Sequence, residues 1–365
     1  MIFHHNKDKK KHKTGSPKPA TTAGKIDPMV RHLEGFVVEE IELAGPAVSE
    51  SQRHYKTPSR WWPVLRIAAG ITSLLLIAVM AALVTRSAWP TDETGWLATA
   101  WAMWTRGDLL APRLNGAPAS VAPLFFWLVH LGWQVFGVDE WWPRLLPALF
   151  MLGSLFLTTR MARFLWPGQG DATRYVPLAL LGGFYWVFSA TLLNADLLTV
   201  FFTLFALTCV LWMWRKRDQR VWLLLGLAFG LGLLASGSLI FLYTLPVALL
   251  APLWARGTPT MPWKYWYVDI FKAAFVGLAI YAAWAVPASK IMGASSVLGP
   301  LLAPLNAHTL DLFAGARPWW WYLFLLPWLA FPWALWPLPW LRLWHIRREP
   351  ISNGLAFCML WAVSV

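Results

Sequence analysis

Charged residues and cysteines are both scarce in this chain, and each shortage excludes a class of protein. Of the 365 residues, 13% are charged and 58% are hydrophobic, whereas a soluble domain carries about a quarter charged residues. The two cysteines, Cys209 and Cys358, both lie within apolar runs, so no disulfide framework is indicated. So little charge cannot cover a surface in water, and we therefore predict an all-α, polytopic integral membrane protein.

The motifs of common soluble enzymes are also missing. The sequence has no His/Cys metal-ligand spacing, no Gly-rich nucleotide-binding loop and no G-x-S-x-G nucleophile elbow. Its net charge of +13 would suit nucleic acid, but the basic residues stand in a tail at 6–13 and in short loops between apolar runs. That placement indicates membrane topology and attraction to membrane lipids, with no nucleic-acid partner.

Long apolar runs are what the chain has in abundance, together with 28 tryptophans suited to the membrane–water interface. Residues 1–60 are polar and are predicted to be a disordered, basic cytoplasmic tail, and residues 61–365 a multi-spanning domain. Because loops rich in Lys and Arg stay in the cytoplasm, the order of the runs predicts about nine membrane segments. These are 61–83, 141–165, 175–193, 197–214, 221–235, 239–254, 267–287, 319–341 and 354–365. The last run is too short to span, so we expect a chain truncated at its carboxyl end.

The first outer loop, residues 87–140, is predicted to hold two surface helices at 93–105 and 123–138. We expect His130 on the polar face of the second helix and not in a metal site. A further outer loop of about 30 residues is predicted to follow the run 267–287. Glycines at 182–183 and 226–232 are interpreted as sites of close helix packing.

Asp92 and Glu93 directly follow the first predicted span, and Asp196 lies at a turn on the same outer face. Each aspartate has two interpretations, a cap that accepts backbone N–H groups or a general base or metal ligand at the membrane boundary. Arg113, Arg144 and Arg317 are outer-face cations, against the usual bias. They either extend to the membrane interface or bind the phosphate of a lipid.

Seven short, distinct sequence blocks occur in order within residues 60–365. They are D-E-T at 92–94, R-G-D at 106–108, P-R-L-N-G at 112–116, P-L-F-F-W-L at 123–128, F-G-V at 136–138, N-A-D-L-L-T at 194–199 and R-P-W-W-W-Y at 317–322. Their order and approximate spacing resemble the polytopic lipid-linked-sugar glycosyltransferases of the GT-C fold. Within that fold, the blocks are most similar to the aminoarabinose (lipid A) transferases and the bacterial protein-mannosyltransferase-like group.

The chain departs from this family at three positions where the family carries a cation. Gly95-Trp96 stands where the family has Arg-Tyr, Val121 stands in place of a Lys, and Ser236-Gly237 stands where the family has Lys-Gly. The carboxy-terminal membrane helices and the soluble domain of the family are absent from the sequence.

The resemblance implies transfer of a sugar from a polyprenyl-phosphate carrier to lipid A, a glycolipid, a glycan or a protein. The reaction would take place at the periplasmic face of the bacterial inner membrane. Asp92, supported by Glu93, would be the base or would orient the acceptor. Asp196 would orient substrate or, with Asp92, hold a divalent cation such as Mg, Mn or Zn. The expected substrate-binding residues are Asp196, Arg113, Arg144, Arg317 and Tyr322.

Two alternatives stand beside this interpretation. One is a catalytically inactive or truncated relative, which the three missing cations would allow. The other is a non-enzymatic transporter or lipid-binding protein. Transporters carry ionisable residues within their helices and an internal repeat, whereas here the charges cluster at helix ends and no repeat is found.

Overall fold

The structure is a computed structural model that describes most of the chain from residue 92 onward. The described residues are 73, 77, 81, 92–167, 173, 175–193, 195–216, 218, 220–255, 262–310, 318, 320–321, 327, 331–335, 337 and 352–364. Of Asp92, Leu178, Phe184, Ala334, Ser364 and residues 303–310 the description covers the backbone alone. The predicted tail, most of the first predicted span and of 319–341, and the residues Arg317 and Tyr322 lie outside the described part.

Helices make up nearly all of the described chain, as the composition predicts, and one short hairpin interrupts them. The helices are α1 (Asp92–Arg106), α2 (Leu124–Phe136), α3 (Trp141–Leu165), α4 (Val176–Leu181), α5 (Phe184–Ser189), α6 (Asp196–Lys216), α7 (Val221–Ser236), α8 (Leu239–Leu249), α9 (Ala251–Trp254), α10 (Trp263–Met292), α11 (Ala294–Leu310) and α12 (Asn353–Ser364). A 3-10 turn spans Trp333–Leu335, and the hairpin consists of β1 (Arg113–Leu114) and β2 (Ala117–Pro118). Of the described helices, α3, α6 and α10 are each long and apolar enough to cross a bilayer.

The structure differs from the predicted elements in three places. The run 175–193 is divided into α4 and α5 at Gly182–Gly183, because a glycine pair has little tendency to remain helical. The run 239–254 is divided at Leu250, and Pro252 restarts the chain as α9. The predicted outer loop after α10 is largely the helix α11; Gly293, at φ 86°, ends α10 and lets a new helix begin at once.

At the division between α8 and α9, aromatic side chains donate to three consecutive carbonyl groups, and one of these carbonyls, that of Ala248, has no regular helical partner. Pro252 has no N–H to donate to the carbonyl of Ala248. The indole of Trp266 donates to that carbonyl instead, at 3.0 Å, and the indole of Trp254 donates to the Val247 carbonyl at 2.8 Å. The hydroxyl of Tyr267 donates to the Leu249 carbonyl at 3.0 Å. Trp266 thus supplies the donor that a continuous helix would have supplied.

Helices α7 and α10 pack through glycines, which confirms the interpretation of 226–232. A Cβ at Gly230 would lie 2.6 Å from Cδ1 of Ile280, and one at Gly226 would lie 2.9 Å from Cβ of Val276. From the other side, a Cβ at Gly277 of α10 would lie 2.6 Å from Cβ of Phe229. Small residues on both helices let the two backbones approach closely, as in many membrane helix pairs.

Helices form where the two surface helices were predicted, as α1 and α2, which pack through aromatic rings; their position at the membrane surface stays a prediction. Trp96 of α1 meets Phe125 edge-on at 5.3 Å between centroids and stacks on Phe126 at 5.5 Å.

The β1–β2 hairpin lies between α1 and α2 in the sequence, and Asn115 and Gly116 form its turn with φ of 52° and 85°. Positive φ at both central residues is the geometry of a type I′ turn, which explains the Asn-Gly of the P-R-L-N-G block.

The glycine packing is tested by one substitution made at two helical positions. Gly230→Ala should lower the melting temperature, since its Cβ would overlap Ile280, and overpacking costs about 1–3 kcal/mol. Gly95→Ala in α1 should raise it, because a Cβ there meets nothing within 4 Å and Ala is favoured over Gly in a helix by about 1 kcal/mol. Thermal unfolding of the detergent-solubilised protein measures both. Equal shifts of the melting temperature in the same direction for both variants would contradict close packing at Gly230.

Candidate functional site

A cavity of about 410 Å³ lies where four parts of the chain meet. Its walls come from α1, from the segment between the hairpin and α2, from the start of α6 with the neighbouring α5, and from the turn between α7 and α8, with α11 behind that turn. Its described lining residues are Trp96, Ser120, Val121, Ala122, Tyr185, Ala195, Asp196, Thr199, Val200, Ala235, Ser236, Leu239, Tyr243 and Pro300.

Asp196 is the one charged side chain among the described residues of this lining. It is exposed, and it is the first residue of α6. A carboxylate in the first helical turn interacts favourably with the helix dipole, so the structural and the functional interpretations of Asp196 are compatible. Hydroxyl groups of Ser120, Tyr185 and Tyr243 share the lining. Such a mixture of one carboxylate, hydroxyls and aromatic rings suits a polyhydroxylated ligand.

Glu93 connects the start of α1, which carries Asp92, to the turn that precedes Asp196. Its side chain is 2% exposed, and its Oε1 accepts a hydrogen bond of 3.0 Å from the backbone N–H of Leu193. Leu193 is itself buried and lies three residues before Asp196. This hydrogen bond therefore links the first turn of α1 to the turn that leads into α6. Asp92 begins α1 next to this hydrogen bond, and its role as a base or metal ligand stays a prediction.

The turn between α7 and α8 lines one side of the cavity and packs against α11. Gly237 has φ of 71°, and a Cβ on it would overlap the carbonyl of Pro300. The next residue, Ser238, donates its hydroxyl to the Leu301 carbonyl at 2.6 Å. Gly299 of α11 packs closely on Ser120, where an added Cβ would lie 2.8 Å from the Ser120 Cβ. Residues 299–301 of α11 are thus packed against two of the segments that line the cavity.

The positions where the chain lacks the cations of its predicted family converge on this cavity. Val121 and Ser236 belong to the lining, and Gly95 precedes the lining residue Trp96. Val121 and Ser236 are far apart along the chain, and the fold brings them to one place. The lining residues that the structure describes therefore include one carboxylate, that of Asp196, and no lysine or arginine.

Of the three arginines predicted to face outward, the two that the structure describes make local contacts away from this lining. Arg144 is 6% exposed, and its Nη2 lies 2.9 Å from Oε2 of Glu140, one turn earlier on the chain. Arg113 lies in the hairpin, where its Nη1 donates to the Gly116 carbonyl at 3.5 Å. Their assignment as phosphate ligands stays a prediction, as does that of Arg317 and Tyr322.

The predicted polar-face position of His130 is wrong. The side chain is 2% exposed, because α1 covers this face of α2, and its ring lies 5.6 Å from the ring of Trp104 and 5.8 Å from that of Trp133. Its Nε2 lies 2.9 Å from the carbonyl of Ala100. A carbonyl can only accept, so Nε2 carries the proton in the neutral ring. Burial lowers the pKa of His130, and the hydrogen bond to Ala100 opposes this in part.

No set of three or more His, Cys, Asp or Glu side chains within the described part of the chain is placed to hold a metal ion. A divalent cation between Asp92 and Asp196 stays a prediction.

Sequence reasoning missed Tyr185 and Tyr243 as lining residues, because both lie in apolar runs outside any of the family's blocks.

Comparison with known proteins confirms the resemblance. Residues 120–286 match the family model described as dolichyl-phosphate-mannose-protein mannosyltransferase. The chain is 28% identical over 312 residues to undecaprenyl phosphate-alpha-4-amino-4-deoxy-L-arabinose arabinosyl transferase 1 of Pseudomonas fluorescens (strain Pf0-1), covering 80% of this chain and 51% of that protein. It is also 28% identical over 327 residues to the corresponding transferase of Pseudomonas aeruginosa (strain UCBPP-PA14), covering 82% and 53%.

The fold is that of ArnT from Cupriavidus metallidurans. The crystal structure of its apo state superposes with a TM-score of 0.61 at 22% identity, over 84% of this chain and 54% of ArnT. The structure of ArnT bound to undecaprenyl phosphate gives a TM-score of 0.59 at 20% identity, over 84% and 55%. The chain thus spans about half the length of the curated relatives and of the solved structures that it matches.

The hydrogen bond between Glu93 and Leu193 predicts a difference between two substitutions. Glu93→Ala should lower the free energy of unfolding by about 1–3 kcal/mol, because it leaves the buried Leu193 N–H unpaired. Glu93→Gln should cost less, since the amide oxygen can accept the same hydrogen bond. Chemical denaturation in detergent, followed by circular dichroism, distinguishes them. Equal losses would show that the charge of Glu93 matters and the hydrogen bond does not.

Buried His130 predicts a loss of stability in mild acid. The pKa in the folded protein is lowered, so the unfolded chain takes up a proton first as the pH falls through about 6.5. The stability that neutral His130 contributes is therefore complete above pH 6.5 and lost progressively below it, by at most about 1.4 kcal/mol per pH unit. Melting temperatures of wild type and His130→Gln at a pH about one unit above and one unit below this value test the effect. The same pH slope in both proteins would refute it.

Proposed function

We propose, on the premise that the chain is related in sequence and fold to the aminoarabinose transferases, that it is a membrane glycosyltransferase. It would move a sugar from a polyprenyl-phosphate carrier to a lipid or other acceptor at the periplasmic face. The observation that carries the proposal is the 410 Å³ cavity in which Asp196 stands among hydroxyls and aromatic rings, beside the helix that begins at Asp92. The relatives' names describe transfer of an arabinosyl group from undecaprenyl phosphate.

The topology belongs to the same proposal. About nine membrane segments would place the amino terminus in the cytoplasm and the cavity in the periplasm of a bacterial inner membrane. Helices α3, α6 and α10 supply three of these segments by length and composition. The basic residues at the carboxyl ends of α3 and α6 would then lie on the cytoplasmic side, in agreement with the positive-inside bias.

The reaction breaks the bond between the anomeric carbon of the sugar and the phosphate oxygen, and it forms a bond to the acceptor oxygen. A carboxylate near the acceptor hydroxyl takes its proton, and the polyprenyl phosphate leaves with the electron pair. We assign the proton transfer to Asp92 and the orientation of the sugar or acceptor to Asp196. Glu93 acts indirectly, because its buried carboxyl group positions both segments through Leu193.

Charge on the leaving phosphate requires a positive partner, and the described cavity lining offers none. A divalent cation held by Asp92 and Asp196 would supply that charge, since such ions prefer oxygen ligands. Arg317 is the other source that we propose. The missing cation also favours a second candidate function, a catalytically inactive relative that retains sugar or lipid binding.

Neutralising either aspartate should abolish transfer. Asp92→Asn and Asp196→Asn should each reduce the rate at least about a hundredfold, the lower range for loss of general acid–base catalysis. Asp218→Asn is the matched control, because it removes the same charge just beyond the opposite end of α6, where its Oδ1 only accepts from the Arg220 N–H. The assay measures transfer of radiolabelled sugar from polyprenyl phosphate in membranes, with and without EDTA.

Two outcomes separate the candidate functions. Full activity of both Asn variants would rule out the proposed roles of the aspartates. A wild-type protein that binds the labelled donor but transfers nothing, with Mg²⁺ or Mn²⁺ present, would identify the inactive relative. Loss of activity in EDTA that Mn²⁺ or Mg²⁺ restores would assign the positive partner to a metal ion.

A further inference from the structure

A second cavity, of about 510 Å³, lies between the carboxyl ends of α3 and α6. Four basic side chains line it together with aromatic and apolar ones. They are Arg160, Arg163, Arg215 and Lys216, with Phe164 and Trp212 among the apolar walls. The proposed function makes no use of this site.

The two cavities lie at opposite ends of α6. The helix runs for 21 residues from Asp196 to Lys216, which at 1.5 Å per residue is about 30 Å. That length equals the thickness of the hydrocarbon core of a bilayer. A helix that crosses the membrane therefore presents Asp196 at one face and the basic cavity at the other.

Arg215 is held in position within this basic cavity. Its Nε donates to the carbonyl of Phe164, in the last turn of α3, at 2.9 Å. Its guanidinium carbon lies 4.2 Å from the centre of the Trp214 ring. Only one of the five N–H donors of Arg215 is used in the bond to Phe164. The guanidinium is thus oriented before any ligand arrives, which reduces the entropy that binding would cost.

The charge of the site calls for an anion. The carboxyl ends of two helices carry a partial charge of about −0.5 each, which offsets only about one of the four cations. No carboxylate belongs to the described lining, so an excess of roughly three positive charges remains. Positive-inside bias accounts for basic residues at this end of the helices, and exposed residues such as Arg220 and Lys264 satisfy it. It does not require four cations around one cavity.

We propose that this basic cavity binds the phosphate headgroup of an anionic membrane lipid. Guanidinium groups match phosphate oxygens in pairs of hydrogen bonds, and three of the four cations are arginines. Phe164 and Trp212 offer an apolar wall for the first carbons of an acyl chain. Basic pockets between membrane helices on the cytoplasmic side are suited to lipids of this kind.

The test compares two variants with the same change in charge. The full chain is reconstituted in nanodiscs of phosphatidylcholine that contain a minor fraction of labelled phosphatidylglycerol, and the retained lipid is measured by native mass spectrometry. Arg163→Gln/Lys216→Gln changes two exposed residues of the cavity. Arg220→Gln/Lys264→Gln changes two exposed basic residues outside it. Arg163→Gln/Lys216→Gln should bind at least about tenfold more weakly, since a charge-assisted hydrogen bond contributes about a factor of ten.

Equal retention by both double variants, or no retention by the wild type, would overturn the proposal, because the attraction would then be diffuse or absent. Displacement of labelled lipid by millimolar inorganic phosphate would overturn the lipid assignment and indicate a site for free phosphate. Lys216→Gln alone, with melting temperatures for all variants, keeps the test valid if the double substitution unfolds the protein. In that case the single variant should lose retention while Lys264→Gln should not.

Discussion

A hydrogen bond between two segments far apart in the chain determines where the candidate site forms. The carboxyl group of Glu93 is buried and accepts from the N–H of Leu193. This bond ties the first turn of α1 to the turn before Asp196, and it thereby sets the position of one cavity wall relative to another. Loss of this hydrogen bond would destabilise the fold, because burying an unpaired N–H in an apolar environment costs free energy. The positions of the candidates at 92 and 196 therefore depend on the buried carboxyl group of Glu93.

Sequence periodicity and hydropathy predict the long elements of this protein and miss its interruptions. The run 141–165 is found as α3 with the same bounds, since a long apolar run in lipid has no alternative to a helix. The runs at 175–193 and 239–254 are divided because Gly182–Gly183 and Pro252 act through backbone freedom and a missing N–H, which hydropathy does not measure. His130 was misplaced for another reason: its burial comes from Trp104 and Trp133, which only the packing of α1 on α2 brings together.

The sequence predicts the charged residue of the candidate site, Asp196, but not the uncharged residues that complete the cavity lining. Asp196 is conspicuous in the sequence because it is a carboxylate between apolar residues at the end of a predicted span. Tyr185 and Tyr243 carried no such signal, since their hydroxyls share a cavity only after α5 and α8 pack beside α6. The helix α6 then separates two environments, with a carboxylate at its amino end and a concentration of cations at its carboxyl end. Both ends agree with the sign of the helix dipole, so the asymmetry also favours the helix itself.

The aromatic donors at the division between α8 and α9 limit how this chain can change over evolutionary time. Leucine and phenylalanine can replace each other in a membrane span at little cost, but neither can replace an N–H donor. Trp254 and Trp266 each donate to a carbonyl at this division. Drift at Trp266 would have to be accompanied by repair of the backbone, for example by loss of Pro252. A lineage that keeps Pro252 therefore needs an N–H donor for the Ala248 carbonyl, which Trp266 supplies here.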